Sequence, residues 1–129
     1  MEKVPKKVFI LDDDERFLDE TSTMLREAGY EVLGCARVAE SLGAIREFQP
    51  DCMMLDLKMP LFNGHDFLPW LRCQCPDLPI IICTGTNEVY KSILTEFRVH
   101  QVLHKPFGHE ELFEALDRAS ETDGEPYAA

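Results

Sequence analysis

The chain has 129 residues, of which 45% are hydrophobic, and a formal net charge of −11. This length suits one domain with one core, and this apolar content excludes an intrinsically disordered chain. The acidic balance argues against direct binding to nucleic acid or to an anionic membrane, since both need a basic face. The apolar runs are too short to span a bilayer, and no signal peptide is visible at the start of the chain. With five scattered cysteines, these features predict a reduced, cytoplasmic setting.

Apolar runs of strand length alternate along the chain with amphipathic stretches. The predicted strands cover residues 7–12, 31–36, 51–56, 79–84 and 99–104. On the first predicted helix, one face carries Phe17, Thr21, Met24, Leu25 and Ala28. Strands that alternate with helices predict βαβ units and a parallel sheet, and strands without polar alternation predict helices on both faces. We interpret 1–6 as an N-terminal extension, 7–120 as one α/β domain and 121–129 as a polar tail or the start of a linker.

Charged residues follow three of these strands, at the point where each strand ends. Asp12, Asp13 and Asp14 follow the first strand, Asp56 closes the third, and Lys105 follows the fifth. In a parallel sheet these ends lie at one edge, where open α/β sheets bind their ligands. Carboxylates that crowd together repel one another unless a cation enters, and Mg²⁺ binds such small sets of oxygen ligands. The sequence therefore predicts a Mg²⁺ site at this edge, formed by Asp12, Asp13 and Asp56.

A carboxylate beside Mg²⁺ and a lysine can be the nucleophile that accepts a phosphoryl group. The transfer needs alignment and neutralisation of charge on the phosphoryl oxygens, and little further covalent help. Mg²⁺ would neutralise one oxygen, Lys105 a second, and a hydroxyl or a backbone amide the third. Thr84 closes the fourth predicted strand, so its hydroxyl lies at the same edge. These residues predict a site for phosphoryl transfer.

The pattern of the chain resembles the receiver domain of two-component response regulators. Besides the acidic pair, the resemblance rests on Asp56-Leu57-Lys58-Met59-Pro60 with Gly64, on Thr84-Gly85 and on Lys105-Pro106-Phe107. It extends over about residues 7–120, in the family's order. It implies a flavodoxin-like (βα)5 fold, a three-layer sandwich with a five-stranded parallel sheet in the order 2-1-3-4-5.

The resemblance also implies a role for each site residue. Asp56 would be the phosphoryl acceptor, and the ligands of Mg²⁺ would be Asp13, Asp56 and the backbone carbonyl of Lys58, with Asp12 bound through water. Lys105 would bind the phosphoryl group, and its peptide bond to Pro106 would be cis. Thr84 would move toward the phosphoryl group and relay the change to helix four, strand five and helix five. Lys58 and Thr86, each two residues past a site residue, are expected to set the phosphoryl lifetime.

The expected partners are a sensor histidine kinase or histidine phosphotransfer protein and a downstream output protein or domain. A phosphorylation-dependent dimer is a further expected assembly, whereas nucleic acid and membrane are not expected as direct partners. The chain would catalyse only its own phosphorylation and dephosphorylation.

Three features depart from the family's pattern. The aromatic residue usually found three positions before the lysine is replaced by Val102, which argues against an aromatic switch there. The Gly-Ala pair that often precedes strand five is replaced by residues 97–100. Pro69 lies inside the third helical pattern, where proline is expected in the first turn or at a kink.

The remaining cysteines and histidines favour no metal site. Cys73 and Cys75 are not spaced as a metal-binding pair, and Cys52 and Cys83 lie inside apolar runs, as buried free thiols do. The histidines are interpreted as surface or local polar residues; they are His65, His100, His104 and His109.

Two alternatives stay open at this point. Asp12-x-Asp14 after a strand also resembles the first motif of haloacid dehalogenase-like phosphatases, with Asp12 as nucleophile and Asp14 as acid/base. That alternative needs a further acidic pair beyond the lysine, for which only Glu110 and Glu111 are available, and it leaves Asp56 without a role. The second alternative is an interaction module that keeps the fold but is not phosphorylated.

Overall fold

The computed structural model of the chain describes residues 6–59, 64–85 and 91–121, and within them five strands alternate with five helices. The strands are β1 (Lys7–Leu11), β2 (Glu31–Cys35), β3 (Cys52–Leu55), β4 (Ile80–Thr84) and β5 (Gln101–His104). The helices are α1 (Glu15–Glu27), α2 (Val38–Phe48), α3 (Gly64–Gln74), α4 (Lys91–Glu96) and α5 (His109–Glu121). The predicted alternation is confirmed, and each predicted strand matches an observed strand with small differences at its ends.

The strands form one parallel sheet in the order β2-β1-β3-β4-β5. β1 pairs on one side with β2, where Lys7 lies opposite Glu31, and on the other side with β3, where Val8 lies opposite Cys52. The chain runs outward from β1 to β2 and then returns past β1 to β3. This change of direction opens a crevice at the carboxyl ends of β1 and β3, where open α/β sheets bind their ligands. The strand order expected from the resemblance is confirmed.

Both faces of the sheet are covered by helices. Phe9 and Leu11 of β1 belong to a buried cluster that includes residues of α2, α3 and α4. Val8 and Ile10, which point to the opposite face, belong to a second cluster with residues of α1 and α5. Because successive strand residues point to opposite faces, a strand buried on both sides carries no polar alternation. The result is the three-layer, flavodoxin-like α/β architecture expected from the sequence.

Short-range contacts define the ends of α1. The carboxylate of Asp14 accepts hydrogen bonds from the backbone N–H groups of Arg16 (3.1 Å) and Phe17 (3.2 Å), which is the usual chemistry of a helix N-cap. After the helix, Gly29 has φ 98°, a conformation that glycine adopts at little cost. The first turn of α1 is therefore fixed directly beside the residues that follow β1.

Pro69 lies inside α3, which continues through it from Gly64 to Gln74. Proline cannot donate a backbone hydrogen bond to the preceding turn, so it weakens this helix. Phe67, Leu68 and Leu71 are buried in the core on the same helix. Their packing against the sheet accounts for a helix that the proline alone would interrupt.

All five cysteines are free thiols. Cys52 and Cys83 are buried as predicted, and burial raises the pKa of the Cys52 thiol to about 12. Cys73 is exposed and Cys75 half-buried, and neither belongs to the candidate metal-binding group among the described residues. Among the described residues, no helix is both long enough and apolar enough to cross a membrane.

The interpretation of the histidines as surface or local polar residues is wrong for His100. Both of its ring nitrogens are buried, and neither has a hydrogen-bond partner among the residues that the structure describes. The residue lies directly before β5, and its backbone N–H donates to the carbonyl of Ile80 (2.8 Å). Pairing with the sheet thus holds His100 in a half-buried position. His104 and His109 are exposed, and the side chain of His65 lies outside the described part of the structure.

Candidate functional site

Backbone hydrogen bonds of the sheet place three predicted site residues at its carboxyl edge. Each bond continues a strand ladder by one residue: Asp12 donates to Cys35 (3.0 Å), Asp56 to Leu11 (3.0 Å) and Lys105 to Thr84 (2.8 Å). The backbones of Asp12, Asp56 and Lys105 are thus held by the sheet. This is why three segments distant in sequence come together.

The carboxylates of Asp12, Asp13 and Asp56 lie side by side, with one oxygen of each within 4.8 Å of the others. Asp12 and Asp56 are buried, and Asp13 is exposed. Burial raises the pKa of the Asp12 carboxyl, and the charge of Asp56 adds to this rise, although Lys105 acts in the opposite direction. Three carboxylate oxygens at this separation fit a hard divalent cation such as Mg²⁺.

The ammonium group of Lys105 lies between the two buried carboxylates. Its Nζ is 2.5 Å from Oδ2 of Asp12 and 3.7 Å from Oδ2 of Asp56. Burial disfavours the charged ammonium, but the hydrogen bond to Asp12 and the charges of Asp12 and Asp56 outweigh it, so the pKa of Lys105 is raised. Lys105 is therefore cationic at neutral pH and offsets part of the negative charge.

The two oxygens of Asp56 have different partners. Oδ1 accepts a hydrogen bond from the backbone N–H of Lys58 (2.9 Å), whereas Oδ2 faces Lys105. The Lys58 side chain is exposed. The predicted roles of Lys58 were its carbonyl as a Mg²⁺ ligand and its side chain in the phosphoryl lifetime. The hydrogen bond from its N–H group was not predicted. An aspartate followed two residues later by an N–H donor is a common turn, so the signal was present in the sequence.

Two residues at the start of α1, Asp14 and Phe17, also contact the site. Neither was predicted as a site residue of a receiver domain. The N–H of Asp14 donates to Oδ1 of Asp12 (2.9 Å), in addition to the capping role of the Asp14 side chain. The ring centroid of Phe17 lies 4.1 Å from Nζ of Lys105. Phe17 also packs edge-on against Phe107, with ring centroids 5.9 Å apart. The helical pattern assigned Phe17 only to an apolar face, because no spacing in the sequence links it to Lys105.

The other predicted residues occupy the following positions. Thr84 is buried at the end of β4, opposite His104 of β5, and the Lys105–Pro106 peptide bond is cis. Val102 is half-buried and packs against the core cluster that includes residues of α4. Thr86 lies outside the described residues.

A family model described as the response regulator receiver domain matches residues 8–117 of the chain. This chain belongs to that family. The DNA-binding response regulator MtrA of Mycobacterium tuberculosis (strain ATCC 25618 / H37Rv) is 28% identical to it over 128 residues, which is 98% of this chain and 56% of MtrA. The chain thus spans about half the length of the curated relatives it matches.

Solved structures of receiver domains have the same architecture. A CheY-like receiver domain protein from Methanospirillum hungatei superposes with a TM-score of 0.85 at 26% identity, covering 92% of this chain and 96% of the other. The response regulator TrrA of Thermotoga maritima, in complex with Mg²⁺ and BeF, superposes with a TM-score of 0.77 at 25% identity, covering 88% and 98%.

These comparisons do not support the phosphatase alternative with Asp12 as nucleophile. The acidic pair that such an enzyme would need, Glu110 and Glu111, lies in the first turn of α5, and both residues are exposed. Asp56, which that alternative leaves without a role, lies inside the carboxylate cluster.

Proposed function

We propose that this receiver domain, which we assign to residues 7–120, accepts a phosphoryl group on Asp56 from a phosphohistidine of a sensor histidine kinase or histidine phosphotransfer protein. The observation that carries the proposal is the position of Asp56, buried beside Asp12 and Asp13 and facing Lys105. A carboxylate oxygen of Asp56 attacks phosphorus and forms a P–O bond. The P–N bond to the histidine breaks, and its electron pair leaves with the imidazole nitrogen.

The contacts of Asp56 favour one oxygen as the nucleophile. Oδ1 is held by the Lys58 N–H, while Oδ2 points toward Lys105, so we assign the attack to Oδ2. The ammonium of Lys105 would then exchange its bond to Asp12 for a phosphoryl oxygen. Thr84, at the end of the neighbouring strand, is proposed to bind another phosphoryl oxygen.

Asp12, Asp13 and Asp56 would hold Mg²⁺, with the Lys58 carbonyl as a further ligand. When bound, the cation offsets the negative charge of the carboxylates and of the phosphoryl group. The cluster geometry supports this assignment, and so does the Mg²⁺ in the related TrrA complex. Asp12, hydrogen-bonded to Asp14 and Lys105, also keeps the lysine near Asp56.

A groove of about 450 Å³ opens beside Lys105, between α1 and the segment before α5. Phe17, Met24 and Phe107 give it an apolar lining. A donor protein must bring its phosphohistidine to Asp56, and this groove is an apolar surface that adjoins the site. We therefore propose that the phosphohistidine-bearing protein docks here.

The output is proposed to lie outside this domain. MtrA is named as a DNA-binding regulator, and the chain matches about half of its length. Because the chain has a net charge of −11, we propose that any contact with DNA belongs to another domain or protein. The output protein or domain, or a second copy in a phosphorylation-dependent dimer, would contact the α4-β5-α5 surface.

The switch on that surface is proposed to act without an aromatic side chain at position 102. Val102 has no polar atom and is stiff at χ1, so it can pack behind Thr84 but cannot signal by a large rotation. A small two-state shift of the segment from Thr84 to α4 is the proposed alternative. Lys58 and Thr86 remain our candidates for residues that set the phosphoryl lifetime.

Labelling with a small phosphodonor tests the assignment of Asp56. Incubation with acetyl phosphate and Mg²⁺ should add one phosphoryl group to the chain, as read by intact-mass spectrometry, and Asp56→Asn should abolish it. Asp19→Asn, which changes an exposed aspartate of α1, is the matched control and should label like the unaltered chain.

Full labelling of Asp56→Asn at another residue would exclude Asp56 as the acceptor. Turnover of a phosphomonoester that is lost in Asp12→Asn and retained in Asp56→Asn would support a phosphatase instead. An unlabelled native chain would support the interaction module.

A further inference from the structure

The aromatic ring of Phe17 contacts the lysine on which the proposed phosphoryl transfer depends. Its centroid lies 4.1 Å from Nζ of Lys105, within the range of a cation–π interaction. Phe17 is neither a candidate metal ligand nor a candidate nucleophile. Its contact with the ammonium therefore needs a separate explanation.

The position of the ring is fixed from two sides. The backbone N–H of Phe17 donates to the capping carboxylate of Asp14, whose own N–H donates to Asp12. On the other side, the ring packs edge-on against Phe107, two residues after Lys105. The contacts form a closed circuit from Asp12 through Asp14, Phe17 and Lys105 back to Asp12, so a displacement of the ring would be transmitted to the ammonium.

The ring also lies beside the ammonium where the groove opens. A lysine ammonium has three N–H donors, and two of its sides face the carboxylates of Asp12 and Asp56. Phe17 contacts a further side of the ammonium, and both Phe17 and Lys105 line the groove. An aromatic face attracts a cation but accepts no strong hydrogen bond, so it leaves the donors directed at the oxygens of the site.

We propose that Phe17 is a positioning residue for phosphoryl transfer: its ring holds the Lys105 ammonium against the carboxylates. The proposal rests on the proposed function of Asp56 and deepens it. A residue that only packs between α1 and α5 would be replaceable by another apolar side chain of similar size. A residue that acts on the ammonium needs the aromatic face.

Kinetic comparison of three variants separates these roles. With acetyl phosphate and saturating Mg²⁺, Phe17→Leu should label Asp56 about threefold to tenfold more slowly, the size expected from loss of a partly desolvated cation–π contact. Phe17→Tyr keeps the aromatic face and should restore the rate. Phe113→Leu is the matched control, because Phe113 is a half-buried aromatic residue on the same side of the sheet that stacks on Tyr30. It should label normally.

A double-mutant cycle tests whether Phe17 acts through Lys105. In a Lys105→Met background, Phe17→Leu should cause no further loss of rate. Mg²⁺ affinity, measured in the same variants, should be unchanged by Phe17→Leu. If the leucine variant does not fold, Phe17→Met provides the same comparison with an unbranched side chain.

A readout that does not depend on phosphorylation completes the test. The ring current of Phe17 should shift the NMR signals of the Lys105 ε-protons upfield, and Phe17→Leu should remove this shift. Equal rate losses in the native and Lys105→Met backgrounds, or a normal rate in Phe17→Leu, would overturn the proposal. An unlabelled native chain that retains the ring-current shift would overturn the function proposed for Asp56, and the role of Phe17 in it, while showing that the contact exists.

Discussion

At the scale of single residues, His100 has a polar side chain in surroundings that disfavour its charged form. Its ring nitrogens are buried at the amino edge of the sheet, opposite the candidate site, and have no hydrogen-bond partner within residues 6–59, 64–85 and 91–121. The guanidinium of nearby Arg72 donates to several backbone carbonyls, including those of Phe97 and Arg98. Burial lowers the pKa of His100, and the positive charges of Arg72 and Arg98 lower it further. The folded chain therefore favours the neutral form of this histidine.

The stability of the chain should fall as the pH drops below about 6.5, the ordinary pKa of histidine. Below that pH the unfolded chain binds a proton at His100 that the folded chain does not, so protonation favours unfolding, by at most about 1.4 kcal/mol per pH unit. Urea unfolding between pH 7 and about 5.5 measures the slope. His100→Leu should flatten it, and the exposed control His104→Gln should not. Identical slopes in the native and His100→Leu chains would contradict this account.

Some site residues could be predicted because they lie at strand ends, whereas others reach the site only through packing between elements. Asp12, Asp56 and Lys105 follow apolar runs, and a parallel sheet brings such ends to one edge. The sequence could therefore predict that they meet. Phe17 meets Lys105 only because α1 and the segment after β5 pack on the same side of the sheet. The burial of His100 likewise depends on packing between elements, which the local pattern does not contain.

At the scale of the elements, three helix ends use left-handed backbone. Gly29 after α1 has φ 98°, whereas Gln49 after α2 and Arg98 after α4 have φ 52° with side chains present. A residue with a Cβ adopts this conformation at a cost of about 1–2 kcal/mol. Arg98 gains contacts there, since its carbonyl accepts from Arg72 and its guanidinium donates to Pro76. Gln49 has an exposed side chain.

Replacing Gln49 by glycine should stabilise the fold. Glycine removes the strain of the left-handed conformation, and its greater freedom in the unfolded chain offsets only part of this gain, so we expect about 0.5–1 kcal/mol. Glu47→Gly, in an exposed position inside α2, is the matched control and should destabilise by about 1 kcal/mol. Urea midpoints measure both. A Gln49→Gly chain that loses stability would show that the glutamine side chain contributes contacts of its own.

The elements themselves were largely predictable, because buried parallel strands read as apolar runs between amphipathic segments. Gly29 and Pro50 each follow a helix by two residues, after α1 and α2, and both residue types are typical of helix ends. Two features were not predictable in the same way. First, α3 continues through Pro69. Second, the guanidinium of Arg72, in the last turn of α3, donates hydrogen bonds to the carbonyls of Phe97 and Arg98 before β5. Both depend on tertiary contacts that replace or outweigh local preferences.

At the scale of the whole molecule, folding concentrates negative charge in an already acidic chain. The net charge is −11, and the fold places carboxylate oxygens of Asp12, Asp13 and Asp56 within 4.8 Å of one another. Lys105 offsets part of this repulsion. Unfolding would scatter the three carboxylates, so a cation that bridges them binds the folded state preferentially and links the site to the stability of the entire domain.

Mg²⁺ should therefore stabilise the folded chain. At a free concentration 100 times its dissociation constant, a cation that binds only the native state adds about 2.7 kcal/mol. Urea unfolding with and without Mg²⁺ at constant ionic strength measures the effect and removes the contribution of general screening. Asp13→Asn removes the charge of an exposed candidate ligand and should lose most of the gain. Asp19→Asn changes an exposed aspartate of α1 outside the cluster and should keep it. An equal gain in both variants would mean that Mg²⁺ binds diffusely to the acidic surface, and no gain in the native chain would contradict a preformed site.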